Sequence, residues 1–185
     1  YVAVNLEATR LGEPEQAHEI IASALLSTSY LWEQVRMKGG AYGGFARASG
    51  LPASFDFGSY RDPNLLQTLG SYKAGLDWLD SDAITDRDVE LAVIGAVGRD
   101  ARPLVPAEKA SASFRRYLYG VSDQIRQSRR DALIATTASD VRRAGQRLQQ
   151  AWEGRLTAVL GGSSALDAAA AQLTDLKQNR VRLPV

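Results

Sequence analysis

Residues 29–64 read SYLWEQVRMKGGAYGGFARASGLPASFDFGSYRDPN, and this stretch organises the rest of the chain. Residues 43–48 and 54–60 are rich in aromatic and small side chains and have the pattern of strands. Ser49-Gly50-Leu51-Pro52 lies between them and is a cluster of turn-forming residues. The stretch therefore predicts an antiparallel hairpin.

Helices are predicted on both sides of this hairpin. The preceding helix opens at Glu13-Pro14-Glu15, where proline and acids suit a first turn, and it ends near Arg36. The following helix is predicted to be capped by Asp62 and to begin at Pro63. The apolar stripe predicted for the first helix is Ile21, Leu25, Thr28, Trp32 and Val35, and that of the second is Leu65, Leu69, Tyr72, Leu76 and Leu79.

The remaining chain adds strands at both ends and more helices between them. Residues 1–6 alternate, with Val2, Val4 and Leu6 on one face, as a strand does. A helix is predicted from Thr85, with a Thr85–Asp88 capping box, and it buries Val89, Val93 and Val97. Three more helices follow: one at 107–119 that Gly120 ends, one from Ser122 to about 134, and one opened by Ser139 or Asp140. The last predicted elements are a strand at 156–160, a helix at 164–173 and a frayed or partnered end at 181–185. This order predicts an α+β fold, a two-layer sandwich whose largely antiparallel sheet is covered by helices on one face.

Composition limits the classes of function. At 185 residues and 45% hydrophobic content the chain has the size of one domain. Its net charge of +1 gives no general field to attract nucleic acid or an acidic membrane, and no apolar run approaches the roughly 20 residues that span a bilayer. The absence of cysteine fits a reducing compartment, and we expect a cytoplasmic protein. Because the chain opens inside a strand, we also expect a fragment excised from a longer protein.

A glycine cluster surrounds one tyrosine, Tyr42. The four flanking glycines are Gly39, Gly40, Gly43 and Gly44. Glycine beside a strand marks a turn with positive φ, a bulge or a close approach of another backbone. Arg36 at the helix end and Tyr42 at the strand start could point into one cleft. Two interpretations stay open at this spacing, because Arg36 could instead neutralise the last helix carbonyls and Tyr42 could be an ordinary strand aromatic.

The run YLWEQVRMKGGAYGGFARASG, followed by FDFGSYRDPNLLQTL, carries a family resemblance. An arginine, glycines, a tyrosine and then Ser-Tyr-Arg-Asp-Pro-Asn are similar to the last domain of the presequence-protease branch of the pitrilysin and insulinase metallopeptidases. The resemblance continues more weakly through VIGAVGRDARPLVPAEKA and GVSDQIRQSRRDALIATTASDVR.

The resemblance implies an architecture for the parent protein. Four similar domains in two halves close around a peptide chamber, and the first domain carries zinc while the last does not. Residues 1–185 would then be the metal-free last domain of a zinc metalloendopeptidase, with a fold like that of pitrilysin or the mitochondrial processing peptidase. Its partners would be the remaining domains and an unstructured peptide.

The resemblance also implies roles for individual residues. Arg36 would hold a peptide carbonyl or carboxylate with its fork of donors. The Tyr42 hydroxyl would donate to the developing oxyanion. The glycines at 39–44 would let the substrate backbone lie close, and Tyr60 and Arg61 would form part of the chamber wall.

The residues themselves argue against a catalytic centre within this chain. An inverted zinc motif needs His-x-x-Glu-His, but His18 is the single histidine and Ala22 occupies the position four residues on. We therefore expect no metal here, and an exposed helix position for His18. Nucleophilic triads lack the histidines and cysteines they need, and the Gly-Gly-Ala-Tyr-Gly-Gly run lacks the lysine and hydroxyl of a phosphate loop.

Two other classes of function remain open. A peptide-binding interaction module could capture extended peptides at the hairpin edge without catalysis. A nucleic-acid-binding helical surface is the second, because clustered arginines can neutralise phosphates. The arginines concerned are Arg115, Arg116, Arg126, Arg129, Arg130, Arg142, Arg143 and Arg147. A solvated or interdomain face also explains them, and we predict no nucleic-acid partner and no membrane partner.

Overall fold

A computed structural model describes residues 1–173 and 179–181. Its strands are β1 (Val2–Glu7), β2 (Gly43–Ser49), β3 (Ser54–Tyr60) and β4 (Leu156–Val159). Its α-helices are α1 (Glu15–Leu25), α2 (Leu65–Leu79), α3 (Asp86–Asp100), α4 (Pro106–Leu118), α5 (Asp123–Ala135), α6 (Ala138–Ala151) and α7 (Ser163–Ala170). Of the predicted end segment at 181–185, residues 182–185 lie outside the described residues.

The four strands form one antiparallel sheet in the order β2-β3-β1-β4. The predicted hairpin is confirmed, with Phe45 opposite Gly58 in the β2–β3 pair. In the centre of the sheet Val4 lies opposite Phe57 on one side and Thr157 on the other. The α+β fold with a largely antiparallel sheet is therefore confirmed.

One face of the sheet forms the core beneath the helices. Val2, Val4 and Leu6 are at most 2% exposed, as their alternation predicted. Phe57 stacks on Tyr72 of α2 with 4.9 Å between ring centroids, and the Tyr72 hydroxyl donates to the Val2 carbonyl at 3.1 Å. Helices α1, α2 and α6 all contribute buried residues to this cluster. Burial of these apolar side chains is the main source of stability for the domain.

The opposite face of the sheet carries exposed side chains from every strand. Alternation along a strand places them there, because their neighbours face the core. Ala3, Phe45, Tyr60, Leu156 and Ala158 are all exposed. We call this surface the open sheet face.

The helix before the hairpin departs from the predicted stripe. After α1 the chain stays helical but widens into π-helical turns at Leu26–Tyr30 and Trp32–Lys38. Each π turn takes more residues than an α turn, so the core-facing positions shift along the sequence. As a result Leu31 is fully buried, whereas Trp32 is 46% exposed and Thr28 is also exposed. The predicted inward positions of Thr28 and Trp32 are therefore wrong.

Two predicted helix starts are also wrong. Helix α2 begins at Leu65 after Asn64, and Pro63 lies outside it. Asp62 instead accepts hydrogen bonds from the backbone N–H of Asn64 at 2.9 Å and from the Thr68 hydroxyl at 2.7 Å. Helix α6 is capped by Thr137 rather than by Ser139 or Asp140. The Asp140 carboxylate completes a capping box with Thr137, so it belongs to the first turn.

Other predicted ends agree with the structure. Thr85 and Asp88 form the capping box of α3, and the Ser122 hydroxyl accepts from the Ile125 N–H at the start of α5. Gly120 has φ +63° just after α4, a conformation that glycine adopts without strain. Within α3 Val89 is buried, but Val93 and Val97 are only half-buried.

Candidate functional site

Tyr42 lies immediately before β2, beside Tyr60 at the end of β3. The two rings are 5.2 Å apart between centroids, and Gly43 lies opposite Tyr60 in the strand register. Tyr42 is 56% exposed and Tyr60 is 37% exposed. The pair therefore forms an accessible aromatic surface at one end of the hairpin, next to the open sheet face.

Two arginines flank the Tyr42 ring. The guanidinium carbons of Arg36 and Arg61 lie 5.9 and 5.5 Å from its centroid, within the range of a cation–π contact. In the part of the chain that the structure describes, neither arginine has a carboxylate partner. The structure thus brings Arg36, Tyr42, Tyr60 and Arg61 into one cluster with free guanidinium donors.

A tight helix ending positions Arg36 relative to Tyr42. The Gly40 N–H donates to the Arg36 carbonyl at 3.0 Å, and the Ala41 N–H donates to the Val35 carbonyl at 3.1 Å. Gly40 has φ +74°, which a residue with a side chain adopts only with strain. These bonds turn the chain sharply, so that a residue in the last helical turn and the strand start share one site.

The backbone of Arg61 is held in an uncommon conformation. Its φ is +49°, and its carbonyl accepts a hydrogen bond from the Tyr42 N–H at 3.3 Å. The Asp62 carboxylate fixes the following chain, because it accepts from the hydroxyls of Ser59 and Thr68 at 2.5 and 2.7 Å. A left-handed non-glycine residue persists only where its surroundings impose it, and such residues are often found at functional sites.

Three of the four glycines have packing reasons inside the domain. A Cβ on Gly43 would overlap the Tyr60 ring, and a Cβ on Gly44 would lie 3.0 Å from Val35. A Cβ on Gly39 would lie 2.6 Å from the Val35 carbonyl oxygen. The glycines let the π-helical segment approach β2, and a role in binding substrate backbone remains a proposal.

The outer edge of β2 is occupied at its centre. The Ser27 hydroxyl oxygen accepts a hydrogen bond from the Ala46 N–H at 2.8 Å. The same hydroxyl donates to the Ala46 carbonyl at 3.0 Å. An added peptide strand would have to displace Ser27 to bond Ala46. This geometry disfavours peptide capture along β2 by strand addition.

His18 differs from what its sequence context suggested. His18 is half-buried in a cleft beside Arg143 and Arg147, so its predicted exposed position is wrong. Burial lowers the pKa of His18 below its ordinary value of 6.5, and Arg143 and Arg147 lower it further, whereas Asp140 and Glu15 act in the opposite direction.

Glu19 is fully buried, and sequence reasoning missed its role. Its carboxylate accepts from the Thr9 N–H at 3.0 Å, from the Thr9 hydroxyl at 2.9 Å and from Arg147 at 2.7 Å. This ion pair connects α1, α6 and the loop after β1, so its role is structural. The one signal in the sequence is an acid inside an otherwise apolar helical segment, next to the only histidine.

Most of the clustered arginines are neutralised within the domain. The ion pairs are Arg126–Asp123, Arg129–Asp100, Arg130–Asp100, Arg142–Asp82, Arg143–Asp140 and Arg147–Glu19. Among the eight, Arg115 and Arg116 lack a carboxylate partner within residues 1–173 and 179–181. These pairs neutralise six of the eight arginines, and the absence of a nucleic-acid partner stays a prediction.

The described residues contain no group of three or more histidine, cysteine or acidic side chains that could hold a metal ion. Of the helices in those same ranges, none combines the length and apolar character needed to cross a bilayer.

The family model and two of the relatives that match this chain concern presequence proteases. A family model described as the PreP C-terminal domain matches residues 7–151. The mitochondrial presequence protease of Xenopus tropicalis is 34% identical over 87% of this chain, and presequence protease 1, chloroplastic/mitochondrial, of Arabidopsis thaliana is 32% identical over 80%. The chain spans 15% and 14% of the lengths of these two relatives.

A solved structure shows the same fold. The crystal structure of a candidate zinc protease from Bordetella pertussis Tohama I superposes with a TM-score of 0.70 at 19% identity. The match covers 87% of this chain and 93% of that one.

Proposed function

The chain belongs to the PreP C-terminal domain family, and on that premise we propose that it is the metal-free last domain of a zinc-dependent metalloendopeptidase that degrades unstructured peptides. In this proposal residues 1–185 form a single domain that closes the substrate chamber. The remaining domains of the same polypeptide and the substrate peptide are its partners.

The observation that carries the proposal is the cluster around Tyr42. An exposed phenol lies between two arginines that have no carboxylate partner in the described chain, and Tyr60 extends this surface toward the open sheet face. Free guanidinium forks suit peptide carbonyls and carboxylates. A cluster of this kind would bind a peptide but could not cleave it alone.

The proposed division of labour follows from this chemistry. In the parent enzyme a zinc ion, held by another domain, would supply the Lewis acid that activates the attacking water. The Tyr42 hydroxyl donates a hydrogen bond to the oxyanion that develops on the scissile carbonyl. Arg36 holds the peptide in the ground state, and Arg61 and Tyr60 line the wall of the substrate chamber. The glycines, which have no side chains, let the substrate backbone lie close to the chain around Tyr42; they are Gly39, Gly40, Gly43 and Gly44.

The compartment is part of the proposal. The absence of cysteine is compatible with a cytoplasmic enzyme, whereas the names of the Xenopus and Arabidopsis relatives place those proteins in mitochondria or chloroplasts. Fractionation of the cells that express the parent protein, followed by immunodetection, decides between these compartments.

Steady-state kinetics of the full-length enzyme on an unstructured peptide test the role of Tyr42. Tyr42→Phe keeps the ring and removes one donor, and loss of such a donor typically lowers kcat by about 10²–10³. Both kcat and kcat/KM should fall, because this bond exists only in the transition state. Arg36→Ala should raise KM at least as much as it lowers kcat.

The matched control is Tyr117→Phe, since Tyr117 is 86% exposed on α4. It should leave both constants unchanged, and thermal unfolding should detect any damage to packing. A Tyr42→Phe enzyme with wild-type kcat and unchanged stability would show that Tyr42 is a structural residue. In that case a peptide-binding module without a part in catalysis would be the better description.

A further inference from the structure

A cavity of about 540 Å³ opens at the turn end of β2, whereas Tyr42 precedes the other end of that strand. Its walls come from the β2–β3 turn, the start of α1, and helices α4 and α5. This volume lies within the range of roughly 300–1,000 Å³ that is typical of ligand sites. The roles proposed for Tyr42 and Arg36 make no use of it.

Arginines outnumber acids in the lining of the cavity, although Arg126 is paired with Asp123 outside it. The five arginines that line it are Arg47, Arg115, Arg116, Arg126 and Arg129. The single acidic residue in the lining, Asp100, is already bound by Arg129 at 3.0 Å and by Arg130 at 3.2 Å. Arg47 bonds the Ser49 hydroxyl through its Nε, and Arg115 and Arg116 have no acidic partner among the described residues. These guanidinium groups can therefore take an external carboxylate or phosphate.

A buried acceptor belongs to Gln16, a residue that lines the same cavity. Gln16 is 3% exposed and lines the cavity, and its Oε1 atom is buried without a hydrogen-bond donor in the described structure. A buried carbonyl oxygen without a donor is costly, so a ligand N–H at this position would stabilise the complex. An inorganic anion carries no N–H group, which favours an organic ligand.

Apart from Ser49, the side chains in the remaining lining are apolar. They include Leu11, Ile20, Ala112 and Val121, which lie among the polar groups described above. The site thus offers guanidinium donors, one acceptor for an N–H group and an apolar wall. A carboxylate, a neighbouring amide N–H and an apolar side chain occur together in the last residue of a peptide.

We propose that this cavity binds the free carboxyl terminus of a peptide whose last residue is apolar. Arg115 and Arg116 bind the carboxylate, Gln16 accepts from the amide N–H of the last residue, and Ile20 contacts its side chain. The proposal rests on the proposed function, since a peptidase domain meets peptides. The seven residue-to-residue steps from Tyr42 to Ser49 span about 23 Å at the rise of a strand, so a peptide held near Tyr42 could reach the cavity with about seven extended residues.

Titration of the 185-residue chain with two matched probes tests this site. The probes are acetyl-Gly-Gly-Leu as the free acid and the same peptide as its C-terminal amide, with affinity measured by calorimetry. The acid should bind about tenfold more tightly or better, because only its carboxylate makes charge-assisted bonds. In ¹⁵N NMR spectra the side-chain amide of Gln16 should shift with the acid and not with the amide.

Arginine variants test whether the acid probe binds in this cavity. Arg115→Gln combined with Arg116→Gln should abolish the preference for the acid, while Arg87→Gln, on the exposed start of α3, should keep it. Helix α4 has no buried side chain, so the double variant should keep its fold, which thermal unfolding checks. Should it unfold, the acid-against-amide comparison and the Gln16 signal in the wild-type chain decide the question.

Three results would overturn the proposal. They are equal affinity for acid and amide, an unchanged preference in the folded double variant, and inorganic phosphate competing as well as the acid peptide, which would indicate a general anion site. Tyr42→Phe should bind the probe like the wild type, because Tyr42 lies at the other end of β2. The kinetic test of Tyr42 and the binding test of this cavity can therefore fail independently of each other.

Discussion

At the residue scale, His18 gives the domain a measurable pH dependence. It is the only histidine in the chain, and burial between α1 and α6 lowers its pKa in the folded state. Well above pH 6.5, the ordinary pKa of histidine, it is neutral in both states. As the pH falls below that value the unfolded chain takes up the proton first, so the free energy of unfolding decreases until the folded-state pKa is passed.

Urea unfolding at about pH 7.5 and about pH 5.5 measures this loss, because carboxylates titrate well below that window. We expect the wild type to lose stability between the two pH values, and His18→Gln to lose less. An equal loss in the two proteins would contradict the lowered pKa.

The residues around Tyr42 show how far the sequence alone could lead. The spacing of Arg36 and Tyr42 about the glycines allowed a shared cleft and left a purely structural interpretation open, and the Arg36 guanidinium carbon lies 5.9 Å from the centroid of the Tyr42 ring. Arg61 could not be placed beside them from sequence, because its left-handed backbone depends on the Asp62 hydrogen bonds. The Glu19–Arg147 ion pair joins residues 128 positions apart, and no local pattern reveals such a contact.

At the element scale, contacts between residues far apart in the sequence also explain the errors in the helix before the hairpin. The period of 3.6 residues predicted its buried positions correctly through Leu25. Beyond that point the π turns change the helical pitch, so that Leu31 is buried instead of Trp32. Close packing of this segment on Gly44 accompanies the shift. Strands and capping boxes were predictable because they depend on neighbouring residues, whereas a change of helical pitch depends on tertiary contacts.

Helix α4 should contribute little to the stability of the domain. None of its side chains is buried, and Phe114 and Tyr117 are 64% and 86% exposed. Tyr117→Ser or Phe114→Ser should change the free energy of unfolding by less than about 0.5 kcal/mol, as at other surface sites. Leu148→Ala in α6 should cost about 2–5 kcal/mol, because Leu148 is fully buried in the core.

Chemical denaturation of the three variants measures these differences. The m-values should match that of the wild type, so that each shift in midpoint reports stability alone. A loss of 2 kcal/mol or more (about the cost of a core truncation) in either α4 variant would mean that this helix packs more tightly than the structure shows.

At the scale of the whole molecule, the helices cover one face of the sheet and leave the other face exposed. Exposed Phe45, Tyr60 and Leu156 lie on the open sheet face, and Phe114 and Leu118 are exposed on α4. Exposed apolar residues grouped in this way are typical of surfaces that meet other domains. The proposed position in a closed peptidase assigns both surfaces to contacts with the rest of the polypeptide.

This position predicts how the isolated chain behaves. Purified residues 1–185 should bind no stoichiometric zinc and cleave no peptide, because the described residues offer no set of metal ligands. When the remainder of the parent polypeptide is added in trans, the two parts should associate and peptide cleavage should return. Metal analysis, analytical ultracentrifugation and a cleavage assay on an unstructured peptide measure these three outcomes.

The Tyr42→Phe chain is the matched control for this reconstitution. It should associate with the remaining domains as tightly as the wild-type chain, because the exposed surfaces are unchanged, yet it should restore kcat to only about 10⁻²–10⁻³ of the reconstituted value. One tightly bound zinc per isolated chain, or cleavage by the chain alone after rigorous purification, would refute the assignment to a metal-free domain. A strictly monomeric chain with no affinity for the rest of its polypeptide would refute its proposed place in a closed enzyme.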